Sequence, residues 1–351
     1  MKPDIIFAIP GDMHRATGGF IYEATVLREL RMLGLHVEHL QLPAGFPDPT
    51  DDEIAETLRL LRAVPPDVAI LLDGFIPGTV DPDGLASVVA PLVPIIHHPL
   101  GMETGLTPDR AAYLLRNEAV ALRHARRIVV PSPHTARLLI DEFAIPEGKI
   151  GIAPPGFHAV DARPQPVTPP LILAVGLLTA RKGHDVLLDA LARISDLAWR
   201  AQIVGGTHED AVADALRRQA DTLGLSDRVR FSGQLRDADL DRAYDAASIF
   251  ALATRFEGYG MVFGEAMLRG LPIVTCRAGA VPDTVGDAAR LVAPDDAAGF
   301  AAALRDLLTD EAARERLAQR SATMGRALPR WRDTAAQVAA SVRQAMIDRR
   351  S

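Results

Sequence analysis

Short apolar runs alternate with amphipathic stretches along nearly the whole chain. In the first half the runs at 5–9, 68–72, 93–96 and 128–130 are brief and almost continuously apolar, the pattern of parallel strands covered on both faces, and 37–42, with apolar residues at 37, 40 and 42, reads as a further strand. Between them the spacing of apolar positions predicts helices over 21–33, 54–61 and 111–123. The same rhythm returns with strands at 171–175, 201–204, 229–231, 249–253 and 273–275. Repeated βα units of this kind predict an α/β protein with two doubly wound, mostly parallel sheets. A proline-rich stretch, 164–170, interrupts the pattern and reads as a linker. The expected division is therefore a first Rossmann-like domain over 1–163, a second over 164–332, and a terminal helix within 333–351.

Composition adds little that is unusual. At 351 residues with 48% apolar residues, the chain is long enough for two cores. Its single cysteine, Cys276, leaves no internal disulfide and suits a reducing compartment. The first apolar run is too short for a signal peptide and is preceded by Asp4, and no stretch is long enough to span a bilayer. The expected location is the cytoplasm, or the periphery of the inner membrane if a partner molecule is a lipid. Charge separates the halves: residues 1–160 carry 13 Lys and Arg against 20 Asp and Glu, whereas the remainder carries 25 of each. An acidic first half argues against nucleic acid as a partner. The one local exception, Arg123, His124, Arg126 and Arg127, reads as the complement of a helix C-terminus.

Ligands of doubly wound sheets bind outside the carboxyl ends of the strands, and the candidate chemistry falls there. Gly18 and Gly19 follow the first strand, Asp73 the third, and His97 and His98 the fourth. In the second half Arg181, Lys182 and Gly183 follow the first strand, Gly205 the second, Gly233 the third and Glu257 the fourth. Glu257 and Glu265 bracket a glycine-rich turn, and carboxylates so close to a phosphate site should face uncharged hydroxyls, one on a transferred sugar and one on a ribose. Arg181 and Lys182 precede a helix expected over 185–193, where cations are unfavourable unless an anion is present, and two fixed cations suit a departing nucleoside diphosphate. Glycines at 18 and 19 allow backbone to approach a phosphate. A histidine at 97 or 98 can hydrogen-bond a sugar hydroxyl or a phosphate. No Gly-x-Gly-x-x-Gly follows the first strand, so no dinucleotide cofactor is indicated. The Asp-x-Asp triplets at 81/83, 237/239 and 239/241 follow no strand and read as caps and turns, which leaves no metal site.

The stretch from Glu257 through Glu265, the strand Gly270-Leu271-Pro272-Ile273-Val274 and the turn Gly279-Ala280-Val281-Pro282-Asp283 resembles the sugar-nucleotide site of glycosyltransferase family 4. That family has the two-domain GT-B fold, two Rossmann-like domains facing across a cleft. The resemblance implies a retaining, metal-independent hexosyltransferase using a nucleotide diphosphate sugar as co-substrate. It implies that Glu257 contacts the donor hexose, that Glu265 holds the ribose hydroxyls, and that the turn Gly258-Tyr259-Gly260 with Met261 and Val262 meets diphosphate and sugar. Lys182 matches the family's phosphate-binding lysine, His97 its functional histidine, and Gly18-Gly19 its glycine pair. The same carry-over places Asp73, His98 and Glu103 on the acceptor side and has the terminal helix cross back to the first domain near Trp331. Two positions depart from the family pattern: Leu177, where an arginine is usual, and Asp283, where a glutamate is usual. Arg181 is then the residue expected to replace the missing arginine. The sequence names neither the nucleotide, the sugar nor the acceptor. A sugar-nucleotide epimerase and an inert nucleotide-sugar binder are the alternatives.

Overall fold

Both sheets are wholly parallel and six-stranded, and they differ in strand order. The computed structural model describes residues 2–15, 17–160, 164–207 and 210–347. The first sheet is built from β1 (Ile5–Pro10), β2 (Val37–Leu42), β3 (Ala69–Asp73), β4 (Leu92–Ile95), β5 (Ile128–Val130) and β6 (Ile150–Ile152), in the order β2-β1-β3-β4-β5-β6. Ile5 is in register with Val37 on one side and Ala69 on the other. The second contains β7 (Leu171–Val175), β8 (Arg200–Val204), β9 (Val229–Phe231), β10 (Ile249–Leu252), β11 (Ile273–Cys276) and β12 (Ala289–Val292), in the order β12-β11-β10-β7-β8-β9. Strand order reverses between β1 and β3 in the first sheet and between β7 and β10 in the second, and such reversals are where open α/β sheets hold ligands.

The helices of the first unit are α1 (Gly18–Met32), α2 (Asp51–Arg62), α3 (Phe75–Thr79), α4 (Pro82–Ala86), α5 (Pro108–Ala121) and α6 (Pro133–Asp141). Those that follow are α7 (His184–Ala192), α8 (Asp210–Thr222), α9 (Asp237–Ala246), α10 (Met261–Leu268), α11 (Val281–Val285), α12 (Ala297–Thr309), α13 (Glu311–Ala327) and α14 (Trp331–Ile347). Two compact units result: Met1–His158 together with Pro329–Ser351, and Ala159–Leu328. The second unit thus starts before residue 164 and ends before 332. The proline-rich stretch is tied to it, since Gln165 and Val167 donate backbone hydrogen bonds to the carbonyls of Asp245 and Ala246.

α14 belongs to the first unit and packs on α1. Trp331 meets Tyr22 edge-on at 5.7 Å, and the Thr334 hydroxyl donates to the carbonyl of Pro154 at 2.7 Å. Gly156 makes the approach possible, because a Cβ there would lie 2.2 Å from the Trp331 nitrogen. The sequence-predicted helix end, Asp348, lies outside the described residues.

Two edge strands were not evident from the apolar pattern. β6 is three residues long and contains Gly151, and β12 is interrupted by Arg290; both are partly solvated. Each sheet has another edge, β2 or β9, that was legible; β6 and β12 lack even a short apolar run, because a partly solvated edge strand does not require one. A second difference concerns helix starts. α1 begins at Gly18, so Gly18 and Gly19 form its first turn and their amides are among the donors a helix leaves unpaired. α10 begins at Met261, directly after the glycine-rich turn.

Candidate active site

In the second unit, two turns leave neighbouring strands at the order reversal and lie against each other. After β7 the chain passes through a single turn of 3-10 helix, Ala180–Lys182, and enters α7 at Gly183, which has φ of 63°. A Cβ on Gly183 would fall 1.9 Å from the carbonyl oxygen of Ala253, just beyond β10. Only glycine permits both that backbone conformation and that approach. The turns are stitched by Arg255 N donating to Arg181 O at 2.7 Å, with the Thr254 hydroxyl oxygen 3.1 Å from the same carbonyl. The His184 ring nitrogen Nε2 lies 3.3 and 3.2 Å from the Gly176 and Leu177 carbonyls, and burial drives that imidazole down to about 4.

This packing brings Glu257 to Lys182. The Lys182 ammonium lies 2.6 Å from Glu257 Oε1, both residues are buried, and the Thr254 hydroxyl donates to the same oxygen at 3.0 Å. Arg181 Nη1 reaches Glu257 Oε2 at 3.5 Å and the Phe256 carbonyl at 3.0 Å. Burial alone would raise the Glu257 pKa, but the charges of Lys182 and Arg181 and these hydrogen bonds outweigh it and hold the carboxyl below its ordinary value. The two cations expected to wait for a diphosphate are therefore already facing a carboxylate.

Around this pair the backbone is shaped by small residues. Gly279 packs on the Glu257 carbonyl, which accepts from Ala280 N at 2.8 Å; a Cβ on Gly279 would sit 2.4 Å from that oxygen. Asp283 lies in the first turn of the α11 that follows. Gly260, at φ of 87°, caps α10 without a side chain, so the amides of Met261 and Val262 begin a helix whose positive end opens beside Glu257. Gly258 lies between Glu257 and Tyr259, whose carbonyl accepts from the Thr284 hydroxyl at 2.7 Å; burial pushes the Tyr259 phenol up to about 12. Gly205 and Gly233 meet at the ends of β8 and β9, where Gly205 N donates to Gly233 O at 2.9 Å.

Glu265 lies beyond the first turn of α10. Its Oε2 accepts from the Tyr244 hydroxyl at 2.7 Å, and burial raises its pKa, partly offset by that bond and by Arg269. Arg269 stacks over the Tyr244 ring at 4.5 Å and pairs with Asp241. Asp241 and Asp239 are thus ion-paired, to Arg269 and Arg242, and Asp81 caps α4 by accepting from Gly84 N at 2.8 Å. Among the described residues no group of three or more His, Cys, Asp and Glu side chains converges as a metal site.

In the first unit the order reversal gathers a second set. Asp73 ends β3 and accepts from Phe75 N at 2.7 Å; His97 follows β4; Gly19 lies against the imidazole, its absent Cβ leaving 3.2 Å to Cδ2. Gly18 is open at the helix start. His98 and Glu103 face each other, with Nε2 and Oε2 3.1 Å apart. The sequence reading missed Glu23, whose Oε1 lies 3.6 Å from His97 Nε2. A signal existed: Phe20, Glu23, Leu27 and Leu30 share the buried stripe of α1, so an acid occupies an apolar position. Tyr244 was also missed, because its partner Glu265 lies on another helix, and so were Thr254 and His184, whose contacts depend on how the turns fold.

Residues 169–310 match the family described as Glycosyl transferases group 1. Mannosylfructose-phosphate synthase of Agrobacterium fabrum is 28% identical over 249 residues, covering 65% of this chain and 55% of that protein. An MMP alpha-(1->4)-mannosyltransferase of Mycolicibacterium hassiacum is 27% identical over 323 residues, 86% of this chain and 77% of that protein. This chain thus spans a little over half the length of the first of these relatives. Among solved structures, a sucrose-phosphate synthase from Thermosynechococcus elongatus superposes with a TM-score of 0.82 at 22% identity over 100% of both chains. Anabaena HepE in complex with UDP-glucose superposes with a TM-score of 0.74 at 19% identity, over 97% of this chain and 99% of that one.

Proposed function

We propose, for a chain whose second unit belongs to the Glycosyl transferases group 1 family and whose two sheets carry the GT-B fold, that it transfers a hexosyl group from a nucleotide diphosphate sugar to an acceptor with retention of anomeric configuration. The observation that carries this reading is the buried Lys182–Glu257 pair at the order reversal of the second sheet, beside the open N-terminus of α10. An arriving diphosphate supplies the anion that Lys182, Arg181 and the first amides of α10 favour. Lys182 then shares its charge between phosphate and Glu257, and the carboxylate becomes available to hydroxyls of the donor sugar. Glu265, fixed through one oxygen by Tyr244, has the other for a ribose. The neighbour that holds UDP-glucose supports a nucleotide-sugar donor.

Retention is assigned to departure and attack on the same face of the sugar, with the leaving phosphate as base, because Glu257 is held by two cations and is a poor nucleophile. Asp73, His98 and Glu103 are proposed to serve the acceptor, and His97 to act at the reaction itself through a sugar hydroxyl or a phosphate. The reaction is proposed to run without a metal, with Lys182, Arg181 and the helix end stabilising the leaving group. The deciding experiment incubates the chain with UDP-, GDP- and ADP-hexoses and follows nucleoside diphosphate release and the anomer of the product. Interconversion of nucleotide-sugar isomers without release identifies an epimerase, and binding without either identifies an inert binder.

A further inference from the structure

The buried face of α1 carries a carboxyl that the proposed reaction does not use. Glu23 has no exposed surface, and neither of its oxygens meets an N–H or hydroxyl donor; the side chain that hydrogen-bonds it is the Asp73 carboxyl. The titratable groups around it are Tyr22 beside it on α1, Asp73 at the end of β3 and His97 beyond β4. The Tyr22 hydroxyl is turned away, donating to the carbonyl of Ala153 at 2.9 Å. Among the described residues no lysine or arginine pairs with Glu23 or Asp73. Two carboxyls in contact without a cation do not both ionise. Burial raises both, Glu23 to about 8, so near neutral pH the pair retains a proton.

His97 is the neighbour that this proton can reach. Its Nε2 is buried without a hydrogen-bond partner, 3.6 Å from Glu23 Oε1. The ring is held in place by Gly19, whose Cβ would sit 3.4 Å from Nε2, and by Tyr22, edge-on at 5.2 Å. Burial lowers the His97 pKa, so the imidazole is neutral and has one donor and one acceptor nitrogen. Facing a protonated carboxyl, Nε2 is the acceptor, and the hydrogen resides on Nδ1. The separation is a few tenths of an ångström longer than a hydrogen bond, a gap that a small side-chain rotation closes.

We propose that Glu23 is a positioning residue, whose carboxyl O–H donates to His97 Nε2, fixes the ring's tautomer and presents Nδ1–H to the ligand. This deepens the role given above to His97, but its readout needs no substrate, so a failure to find sugar transfer leaves it standing. The full chain is labelled with 15N-histidine, His97 is assigned by loss of its signals in His97→Gln, and the ring nitrogens are followed with pH. The wild type should show a single Nδ1–H tautomer near neutral pH, giving way to the Nε2–H tautomer as pH passes about 8 and the Glu23 carboxylate becomes an acceptor. Glu23→Gln, whose amide can donate to His97 Nε2 and does not ionise, should keep the Nδ1–H tautomer and lose the alkaline transition. Glu23→Leu should give mixed tautomers at all pH values. An Nε2–H tautomer in the wild type near neutral pH, or an alkaline transition that survives in Glu23→Gln, overturns the proposal. If Glu23→Leu does not fold, those two spectra decide it alone.

Discussion

The Lys182 ammonium and the Glu257 carboxylate, 75 residues apart in sequence, lie 2.6 Å from each other in the interior of the second unit. Lys182 is the nearer of two counter-ions of Glu257, the other being Arg181 at 3.5 Å. Lys182→Met should cost about 3 kcal/mol, because it leaves the buried carboxylate with Arg181 alone, whereas the double variant Lys182→Met/Glu257→Gln should recover most of that loss. Denaturant unfolding of the three proteins checks this. Equal instability of the single and double variants would show that the pair is not what stabilises the turns.

The two glutamates should fail differently on substitution. Glu257→Gln should reduce turnover about 10²–10³-fold with little change in nucleotide affinity, because its contact is with the sugar as charge develops. Glu265→Gln should weaken nucleotide binding instead. Tyr244→Phe, which frees Glu265 Oε2, should do the same more mildly, by about 0.5–1.5 kcal/mol. Titration calorimetry with the nucleoside diphosphate, beside initial rates, separates the cases.

Gly183 and Gly233 have nearly the same φ, 63° and 64°, but different surroundings. Around Gly233 there is open space, whereas at Gly183 a Cβ would strike the Ala253 carbonyl. Gly233→Ala should therefore cost only the backbone strain, about 1–2 kcal/mol. Gly183→Ala should cost clearly more and loosen the Lys182 turn. Melting temperatures of the two variants give the comparison directly.

The buried glutamates of the first unit and the buried His184 of the second should respond to pH in opposite directions. In the first, Glu23 and Glu118 are both raised from 4.5 to about 8 by burial. Stability fully present below their ordinary value is lost as pH climbs towards 8, because the unfolded chain releases protons that the folded unit keeps. In the second, His184 is lowered from 6.5 to about 4, so stability present above 6.5 is lost as pH falls towards 4. Trp331 reports on the first unit and Trp199 on the second. Fluorescence-detected unfolding of Trp331→Phe and Trp199→Phe across pH 4.5 to 8 should resolve the two opposed trends.

Chelation tests the metal-free leaving group. Donor turnover should survive excess EDTA, because Lys182, Arg181 and the α10 amides are proposed to stabilise the diphosphate. Loss of turnover restored by magnesium or manganese would overturn that part of the mechanism.

The central strands and the positions of candidate residues at their carboxyl ends were legible in the sequence, because a strand buried on both faces must be continuously apolar and βα units leave little freedom of topology. Glu257, Lys182, Asp73 and His97 could be placed at strand ends for that reason. The edge strands β6 and β12 could not, since half-solvated strands of three and four residues have no such pattern. Nor could pairing: that Lys182 meets Glu257, that Tyr244 holds Glu265, and that Glu23 faces His97 depend on which strands become neighbours and on glycines that let their turns touch. A carboxylate's protonation and a lysine's availability are set by groups distant in the chain, through burial and a few ångströms of separation. Only the tertiary structure decides those.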